Sequence, residues 1–406
     1  MTSRADDSAA PAAPRSVLWV AGEISGDMHA GALLRALRRR GWAAPCWGAG
    51  GDALAAGGMD VMFHVRDLAV MGLGEVLRRL PFLRRVRRDL IARANRDRPA
   101  LAILVDYPGM NLPLAAALRA RGVRVVYYIC PKVWAWNRAR IPRMARALDR
   151  LLSIFPFEPE IFRGTGLRVD YVGNPLVEET RQTLAAPPAA LPWAGGAETI
   201  RIGILPGSRR QEILRILPAL WAAAVRLDRR MPGVSFMLAS ATPEMDALAR
   251  NVIARQPASP ARWAGVIGQM REVARQSRAA WVTSGTATLE TALLGCPLVV
   301  VYKTSALTYA VGKRVIRVPY IGLVNLVANA PVCPELIQSA ADPDRLADAL
   351  EPLLPLDSPA RAKMLEGYAR VRETLGNQAA SERAADAVLE EWAAISPSTT
   401  PPPDAP

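Results

Sequence analysis

The feature that most constrains the fold of this chain is a series of short, continuous apolar runs that alternate with helical patterns. The runs are SVLWVAG, ALAILVDYP, VRVVYYICP, RLLSIFP, TIRIGILPG, VSFMLAS, AAWVTSG and PLVVVYK. Because they lack the polar and apolar alternation of a half-exposed strand, they predict strands covered on both faces, as in a parallel sheet flanked by helices. We therefore expect an α/β fold.

The alternation stops once, at the segment LAAPPAALPWAGGAET (184–199), and then restarts. A chain of 406 residues also exceeds the roughly 250–300 residues that one core usually serves. We predict two doubly wound, Rossmann-like domains that face a cleft. The predicted division is a disordered tail at 1–15, a first domain at 16–178, a linker at 179–199, a second domain at 200–370, C-terminal helices at 371–395 and a disordered tail at 396–406.

Composition argues against several classes of protein. The formal charge of +14 comes almost entirely from arginine, which favours anionic partners. The four cysteines are far apart, so neither a zinc site nor a disulfide framework is expected. Two histidines leave little room for a Ser-His-Asp hydrolase or a histidine metal centre. No run has the length of a signal-peptide core or a membrane span, so we expect a cytoplasmic protein that can still rest on a membrane.

The segment GILPGSRRQEI (203–213) is a candidate phosphate site. It places Gly207, Ser208 and Arg209 in a turn between a strand and a helix. Free backbone N–H groups and the positive end of the helix dipole attract phosphate there, and the arginine adds a charged contact. An ordinary strand-to-helix turn is an equally good interpretation of this segment alone.

A second turn of the same kind lies in WVTSGTATLETALLGCPLVVVY (281–302). Ser284, Gly285 and Thr286 fall at the start of a helix, and Glu290 lies one turn inside it. A carboxylate at that position can accept both hydroxyls of a ribose, although an acidic residue is also favoured there by the helix dipole. Two such turns at the carboxyl ends of strands in one sheet favour nucleotide binding.

The run LVDYPGMNL (104–112) ends a strand with Asp106. Open α/β sheets usually keep reactive groups at this end of their strands, and Pro108 and Gly109 force the chain to turn. We predict that the Asp106 carboxylate lies at the mouth of the cleft, where it is a candidate general base. The alternative is an aspartate that caps the following turn.

The first strand leads into an acidic glycine turn in WVAGEISGDMHAGALLRAL (19–37). The turn lacks the G-x-G-x-x-G spacing of a dinucleotide site, which argues against a nicotinamide oxidoreductase. We expect an acceptor-side loop in which the glycines let backbone approach a substrate and Ser25 or Asp27 caps the helix. Glu23 either binds a sugar hydroxyl or orders the turn. The residues of this predicted loop are Gly22, Glu23, Ser25, Gly26 and Asp27.

The segment LAVMGLGEVLRRLPFLRRVRRDLIARANRDRP (68–99) joins an apolar part to nine arginines. Its helical periodicity predicts an amphipathic, basic helix suited to an anionic membrane, where each arginine contributes about 1 kcal/mol. A solvated helix face and RNA binding are the alternatives. The predicted membrane or acyl contacts are Val70, Met71, Leu73, Arg84, Arg85, Arg87 and Arg88.

The D-x-D sequence Asp342-Pro343-Asp344 has the spacing that some sugar transferases use to hold a metal. Here it precedes a helical pattern, and an acidic helix N-terminus explains both aspartates. We therefore predict no metal site at this position.

Taken together, eight motifs resemble those of lipid-A-disaccharide synthase, a glycosyltransferase with the B-type fold. They occur in the family's order over about residues 16–394. They are AGEISGDMHAGALLRAL, LAVMGLGEVL, VDYPGMNL, CPKVWAWNRARI, LPGSRRQEI, SGTATLETALLGCPLVVVYK, VNLVAN and PELIQ.

The resemblance implies transfer of 2,3-diacylglucosamine from UDP to 2,3-diacylglucosamine 1-phosphate (lipid X), giving a β-1,6 disaccharide and UDP in lipid A biosynthesis. It carries the family's essential aspartate onto Asp106, the diphosphate-binding arginine onto Arg209 and the ribose-contacting glutamate onto Glu290. Asn325 and Gln338 fall in stretches that the family places around the donor. Another B-type UDP-sugar transferase or a UDP-sugar epimerase is the alternative.

The resemblance also sets expectations about partners. It implies no cofactor and no metal, two lipid substrates, and peripheral binding to the anionic cytoplasmic face of the inner membrane. No nucleic acid partner is expected. The resemblance does not decide between a monomer and a homodimer. Some family members carry a second acid where this chain has Gly109, so we expect Asp106 to act as the only carboxylate base.

Overall fold

The apolar runs form strands of two separate parallel sheets in the computed structural model, which describes residues 15–68, 73–196, 198–315 and 318–395. Both predicted tails, apart from Arg15, lie outside the described residues. The first sheet has seven strands in the order β3-β2-β1-β4-β5-β6-β7. Its strands are β1 (Val17–Ala21), β2 (Cys46–Gly50), β3 (Met59–His64), β4 (Leu101–Val105), β5 (Arg124–Tyr128), β6 (Arg150–Ser153) and β7 (Arg168–Tyr171).

The second sheet repeats the same winding with six strands in the order β10-β9-β8-β11-β12-β13. Its strands are β8 (Ile200–Leu205), β9 (Val234–Ser240), β10 (Trp263–Ile267), β11 (Ala279–Thr283), β12 (Leu298–Tyr302) and β13 (Glu335–Ile337). Every strand pair in both sheets is parallel. The predicted fold class, two doubly wound α/β units, is confirmed.

Helices connect the strands and cover both faces of each sheet. Those of the first half are α1 (Ile24–Arg39), α2 (Asp52–Ala56), α3 (Val65–Leu68), α4 (Leu73–Asp97), α5 (Pro108–Arg119), α6 (Val133–Trp136), α7 (Ile141–Ala147), α8 (Glu158–Ile161) and α9 (Pro175–Ala185). Those of the second half are α10 (Arg210–Arg230), α11 (Pro243–Ile253), α12 (Met270–Gln276), α13 (Thr286–Leu293), α14 (Ala306–Val315), α15 (Leu323–Ala328), α16 (Pro343–Leu350), α17 (Pro359–Leu375) and α18 (Ala380–Ile395). Short 3-10 helices span Arg138–Arg140, Gln338–Ala340 and Glu351–Leu353. Among the described helices, none is long and apolar enough to cross a bilayer.

The core of the first sheet lies on its two faces. On one face, Leu18 and Val20 of β1 pack with residues of α4, α5 and α7. On the other face, Trp19 of β1 packs with residues of α1 and α18. Successive residues of a strand point to opposite faces, so β1 is apolar throughout because both faces are covered.

The last helix, α18, returns to the first sheet. Its residues Ala384 and Val388 are buried against the same face as Trp19. Arg150 of β6, which is 2% exposed, donates to the carbonyl of Ala387 at 2.9 Å and pairs with Glu390 at 2.9 Å. The chain therefore crosses from the first unit to the second and back.

Two predicted boundaries fall inside helices. The predicted linker at 179–199 includes most of α9, and irregular chain covers only 186–199 apart from the undescribed residue 197. The predicted boundary between 370 and 371 lies within α17. Pro, Ala and Gly mark where strands stop, but they do not show that a helix already fills part of the connection.

The topology fixes where a ligand can bind. In each sheet the strand order reverses between the first strand and its neighbour, at β1 and β4 in one and at β8 and β11 in the other. Doubly wound sheets bind ligands outside the carboxyl ends of their strands at this switch point. The loops after these four strands hold the acidic glycine turn, Asp106, the Pro-Gly-Ser-Arg turn and the Ser-Gly-Thr turn.

Candidate active site

The loop after β4 is held in an uncommon backbone conformation. Asp106 and Tyr107 have φ values of 44° and 50°, and Ile129, at the end of the neighbouring β5, has 69°. A β-branched residue in the left-handed region is an outlier, and such strain concentrates at functional sites. Asn111 and the Tyr127 hydroxyl both donate to the carbonyl of Asp106 and hold it in place.

The Tyr107 ring explains the first glycine of the acidic turn. A Cβ at Gly22 would lie 2.2 Å from Cδ1 of Tyr107. The absence of a side chain at Gly22 therefore makes room for this ring, whereas we predicted that it lets backbone approach a substrate. A Cβ at Gly26 would have no contact closer than 3.8 Å.

Asp106 is half-buried, and its electrostatic environment suits a base. Burial, and then the negative charge of Glu23, raise the pKa of Asp106 from 3.8 to about 6. A hydrogen bond from the Tyr107 N–H and the positive charge of Lys132 act in the opposite direction. A carboxylate with this pKa is ionised near neutral pH and is a stronger base than an ordinary aspartate.

Glu23 is exposed at the start of α1, close enough for its charge to act on Asp106. It sits at the N-cap position without a side-chain capping bond. The sequence left two roles for Glu23, sugar binding and ordering of the turn. The structure adds a third, an electrostatic effect on Asp106.

The prediction that Ser25 or Asp27 caps α1 is wrong, because neither side chain, nor any other in the described residues, caps that helix. Asp27 is buried and accepts hydrogen bonds from three backbone N–H groups around the start of α2, those of Gly51 at 2.7 Å, Ala53 at 2.9 Å and Leu54 at 3.2 Å. Asp27 therefore caps α2 from a distance, while Ser25 is exposed.

The predicted phosphate turn after β8 has the expected shape, but one of its own side chains covers it. Gly207 has a φ of 101°. The carboxylate of Glu212 accepts from the N–H groups of Ser208 at 3.0 Å and Arg209 at 3.1 Å, and from Nη1 of Arg209 at 3.0 Å. An anion therefore already lies on these donors, which demonstrates the affinity of the turn for negative charge.

The second predicted turn lies at the start of α13. Gly285 has a φ of 154°, and no side chain of the described residues caps the helix. The hydroxyl of Ser284 donates to the carbonyl of Ile321 at 2.9 Å. Thr286 is the first residue of α13, one turn before Glu290.

Glu290 is 8% exposed and is linked to both halves of the molecule. Arg271 of α12 donates to Oε1 of Glu290 through Nε at 3.0 Å and Nη2 at 2.7 Å. Arg271 also pairs with Glu179 of α9, which lies 3.5 Å from Nδ1 of His29 on α1. Because both bonds go to Oε1, no described residue bonds the other carboxylate oxygen, which can accept from a further donor.

Asn325 and Gln338 form hydrogen bonds that connect the segments around β12 and β13. Asn325 is buried, donates to the Cys333 carbonyl and to Glu335, and accepts from the Cys333 N–H, each at 2.8 Å. Gln338 has a φ of 53° and bonds the backbone of Thr304 through both ends of its amide. These bonds give both residues a role in holding the loops that follow β12 and β13.

Lys132 is the principal site residue that the sequence analysis missed. It follows β5 and is exposed to solvent, although protein atoms lie around most of its side chain. Burial lowers the pKa of its ammonium group, the charge of Asp106 opposes this effect, and the charge of Arg209 adds to it. Lys132 is therefore electrostatically coupled to the candidate base in one unit and to the phosphate turn in the other. The signal was its place in the CPKVWAWNRARI motif.

Trp134, from the same motif, fills the core and does not line the cleft. It is 4% exposed, packs on Phe155 and Phe157, and donates to the buried carboxylate of Glu158 at 2.9 Å. Burial raises the pKa of Glu158 to about 7. Trp134 is therefore a core residue.

The predicted membrane helix forms as α4, but its apolar stripe is occupied. Val86, Leu90 and Ala94 are buried in the core of the first unit. Arg84, Arg85 and Arg88 are exposed, and Arg87 is partly exposed. The buried stripe of this half of α4 therefore binds the protein, while the exposed arginines remain available to a membrane. Val70 and Met71 lie outside the described residues, as does the side chain of Leu73.

The D-x-D segment forms a helix start, as predicted. Asp342 caps α16 by accepting from the N–H groups of Asp344 and Arg345, both at 3.1 Å. Asp344 pairs with Arg226 at 2.5 Å. Within the described parts of the chain, no three His, Cys, Asp or Glu side chains are grouped so that they could hold a metal ion.

Solved structures with the same fold include sugar-nucleotide enzymes. The crystal structure of UDP-GlcNAc 2-epimerase from Neisseria meningitidis bound to UDP-GlcNAc has a TM-score of 0.62 at 12% identity, covering 92% of this chain and 100% of that chain. The crystal structure of MurG from Acinetobacter baumannii has a TM-score of 0.53 at 15% identity, covering 93% and 100%. At these identities the likeness shows the fold alone.

Curated relatives are much closer in sequence. Lipid-A-disaccharide synthase from Myxococcus xanthus is 41% identical over 379 residues, which cover 93% of this chain and 97% of that protein. The protein of the same name from Syntrophus aciditrophicus is 40% identical over 370 residues, covering 91% and 96%.

Fold and relatives together define a glycosyltransferase of the B-type fold. The family model described as lipid-A-disaccharide synthetase matches residues 17–390. The chain belongs to that family, and the resemblance drawn from the motifs is confirmed.

Proposed function

We propose that this enzyme transfers 2,3-diacylglucosamine from its UDP derivative to the 6-hydroxyl of 2,3-diacylglucosamine 1-phosphate, forming the β-1,6 lipid A disaccharide and UDP. The observation that carries the proposal is the position of Asp106. Its carboxylate, whose pKa is raised to about 6, lies at the switch point of one sheet. Lys132 couples it to the anion-binding turn at the switch point of the other.

Asp106 acts as the base in this mechanism. A donor with an α-linked UDP and a β-linked product require inversion, hence a single displacement at the anomeric carbon. The ionised carboxylate accepts the proton of the acceptor hydroxyl as the new C–O bond forms. Its strained backbone and the bonds to its carbonyl hold it in one position, so little reorganisation is needed when the reaction begins.

The second unit stabilises the leaving group. Negative charge builds on the departing diphosphate, and the N–H groups of Ser208 and Arg209, together with the Arg209 guanidinium, are arranged for an anion. Glu212 now accepts from these groups, so the diphosphate has to displace the Glu212 carboxylate. The open oxygen of Glu290 is suited to a ribose hydroxyl. Lys132 adds positive charge between base and leaving group without any metal.

The lipid substrates place the reaction at a membrane surface. We propose peripheral binding to the anionic cytoplasmic face of the inner membrane through the exposed arginines of α4. Arginine-rich surfaces bind such a leaflet with about 1 kcal/mol for each charge near it.

The test is to incubate the purified protein with both diacylated substrates, with and without chelator, and to follow UDP and disaccharide. We expect both products in equal amounts under the two conditions. A protein that forms no disaccharide does not have the proposed activity. If product is lost only with chelator, the transfer needs a metal.

A further inference from the structure

A long groove lies between α5 and α7 on the outer side of the first unit. It has a volume of about 780 Å³, within the roughly 300–1,000 Å³ range of small-molecule sites. Its floor is apolar and is formed by Leu112, Pro113, Ala116, Met144 and Ala147.

The groove begins at Pro108, shortly after the candidate base in the chain, and follows α5. The lining residues of α5 recur every three or four positions from Pro108 to Ala120, so they form one face of the whole helix. Twelve helical residues span about 18 Å. Pro108 comes two residues after Asp106. This end of the groove is therefore close to Asp106 along the chain, within the reach of a long acyl chain on a molecule that reacts there.

The rim of the groove is positively charged, and none of its lining residues is acidic. The rim arginines are Arg119, Arg140, Arg143 and Arg146. Arg119 pairs with Asp149 at 2.5 Å, whereas Arg143 and Arg146 are exposed. The same outer side carries the exposed arginines of α4, because α4 and α5 pack against each other on this face of the sheet. An apolar floor with a cationic rim matches an amphiphile that has an anionic head group.

We propose that this groove holds an acyl chain of the lipid acceptor, while the rim arginines contact anionic phosphates at the membrane surface. The proposal rests on the function proposed above. The floor offers no polar side chain to a sugar, which favours a hydrocarbon chain as occupant. The groove belongs to the unit that carries the base, whereas the diphosphate turn belongs to the other unit, which favours the acceptor over the donor.

The test fills the groove and compares two acceptors. Ala116 is exposed in the middle of the floor, so Ala116→Trp places an indole in the groove without entering the core. Acceptors with long and with short acyl chains are compared by kcat/KM and by equilibrium binding. We expect the preference of the protein for the long-chain acceptor to fall at least about tenfold, because two or more methylene groups lose their apolar contact.

The matched control is Ala55→Trp, an equal change at an exposed alanine of α2 on the opposite face of the sheet. It should keep the wild-type preference for long chains. If Ala116→Trp also keeps that preference, or weakens both acceptors equally, the groove holds no acyl chain. Another amphiphile or a protein segment would then be its occupant.

The binding measurement separates this inference from the proposed reaction. If the wild-type protein forms no disaccharide but binds the long-chain acceptor more tightly than the short-chain one, and Ala116→Trp removes that difference, the groove assignment stands and the reaction does not. If the wild-type protein forms the disaccharide but binds both acceptors equally, the reaction stands and the groove assignment does not.

Discussion

At the scale of single residues, the proposed base has to be ionised to act. Because the pKa of Asp106 is raised to about 6, kcat/KM should rise with pH through about 6 and level off above it. Asp106→Asn keeps the size of the side chain and tolerates the left-handed backbone, but it cannot accept the proton. We expect it to bind UDP normally and to lose roughly 10²-fold or more in kcat. A loss below tenfold would rule out the general-base role.

Glu23 provides the control for this pH profile. Its negative charge is the second cause of the raised pKa of Asp106. Glu23→Gln should therefore move the inflection to lower pH and leave the plateau rate unchanged. A lower plateau with an unmoved inflection would instead indicate that Glu23 contacts the substrate.

Asp106→Asn also has a readout that does not depend on activity. A carboxyl group with a raised folded-state pKa favours the folded state at low pH, and that contribution is lost as the pH rises through about 6. Asn carries no charge, so the variant should be more stable than the wild type above this pH, by at most about 3 kcal/mol before screening by cleft water. Denaturant unfolding at low and high pH measures the difference.

Single residues differ in how far the sequence reveals them. Asp106 and Glu290 lie where strand ends and helix starts predicted them, because topology fixes those positions. Asp27 was assigned to the wrong helix, since its partners lie 24 to 27 residues further on. Glu212 was overlooked although its partners lie only three and four residues before it, in the spacing of a capping box. Lys132 was missed because its role depends on which loops meet across the cleft, and no local pattern records that meeting.

At the scale of elements, the cap formed by Asp27 links α1 to the start of α2. Asp27→Ala leaves three N–H groups without their acceptor. We expect a loss of about 2 kcal/mol in the free energy of unfolding, typical of buried bonds to a charged group.

Asp52→Ala on the same turn is the control. Asp52 is 77% exposed and forms only surface ion pairs, so it should cost well under 1 kcal/mol. Equal losses in the two variants would contradict the capping role.

Elements also show why eight of the strands were evident and five were not. The predicted runs correspond to β1, β4, β5, β6, β8, β9, β11 and β12. Four of the missed strands, β3, β7, β10 and β13, are the edge strands of the two sheets, and the fifth, β2, contains two glycines. In β2, CWGAG, the backbone of Gly48 approaches so closely that a Cβ there would lie 2.0 Å from the carbonyl oxygen of Trp19. Tertiary packing, and not strand propensity, makes this segment a strand.

At the scale of the whole molecule, the sequence pattern does not predict that α18 returns to pack on the first unit. Its periodicity predicts a helix, but its partners include Arg39 and Arg40 at the C-terminal end of α1 and Arg150 of β6. These contacts join segments more than 200 residues apart. The predicted C-terminal helices correspond to the end of α17 and to α18. The sequence did not indicate that α18 packs on the first sheet.

The distribution of charge decides how the whole molecule meets a membrane. With the buried apolar stripe of α4 packed inside, the exposed arginines are the groups of this helix that suit an anionic bilayer. Charge reversal to Glu at Arg84, Arg85, Arg87 and Arg88 should therefore abolish binding to anionic vesicles, since each charge contributes about 1 kcal/mol, and wild-type binding should weaken steeply with salt. The control reverses four exposed arginines of the second unit, Arg215, Arg229, Arg255 and Arg262, and changes the net charge equally. Vesicle cosedimentation that falls equally in both variants would indicate a general effect of net charge. Unchanged binding in the α4 variant would mean that another surface meets the membrane.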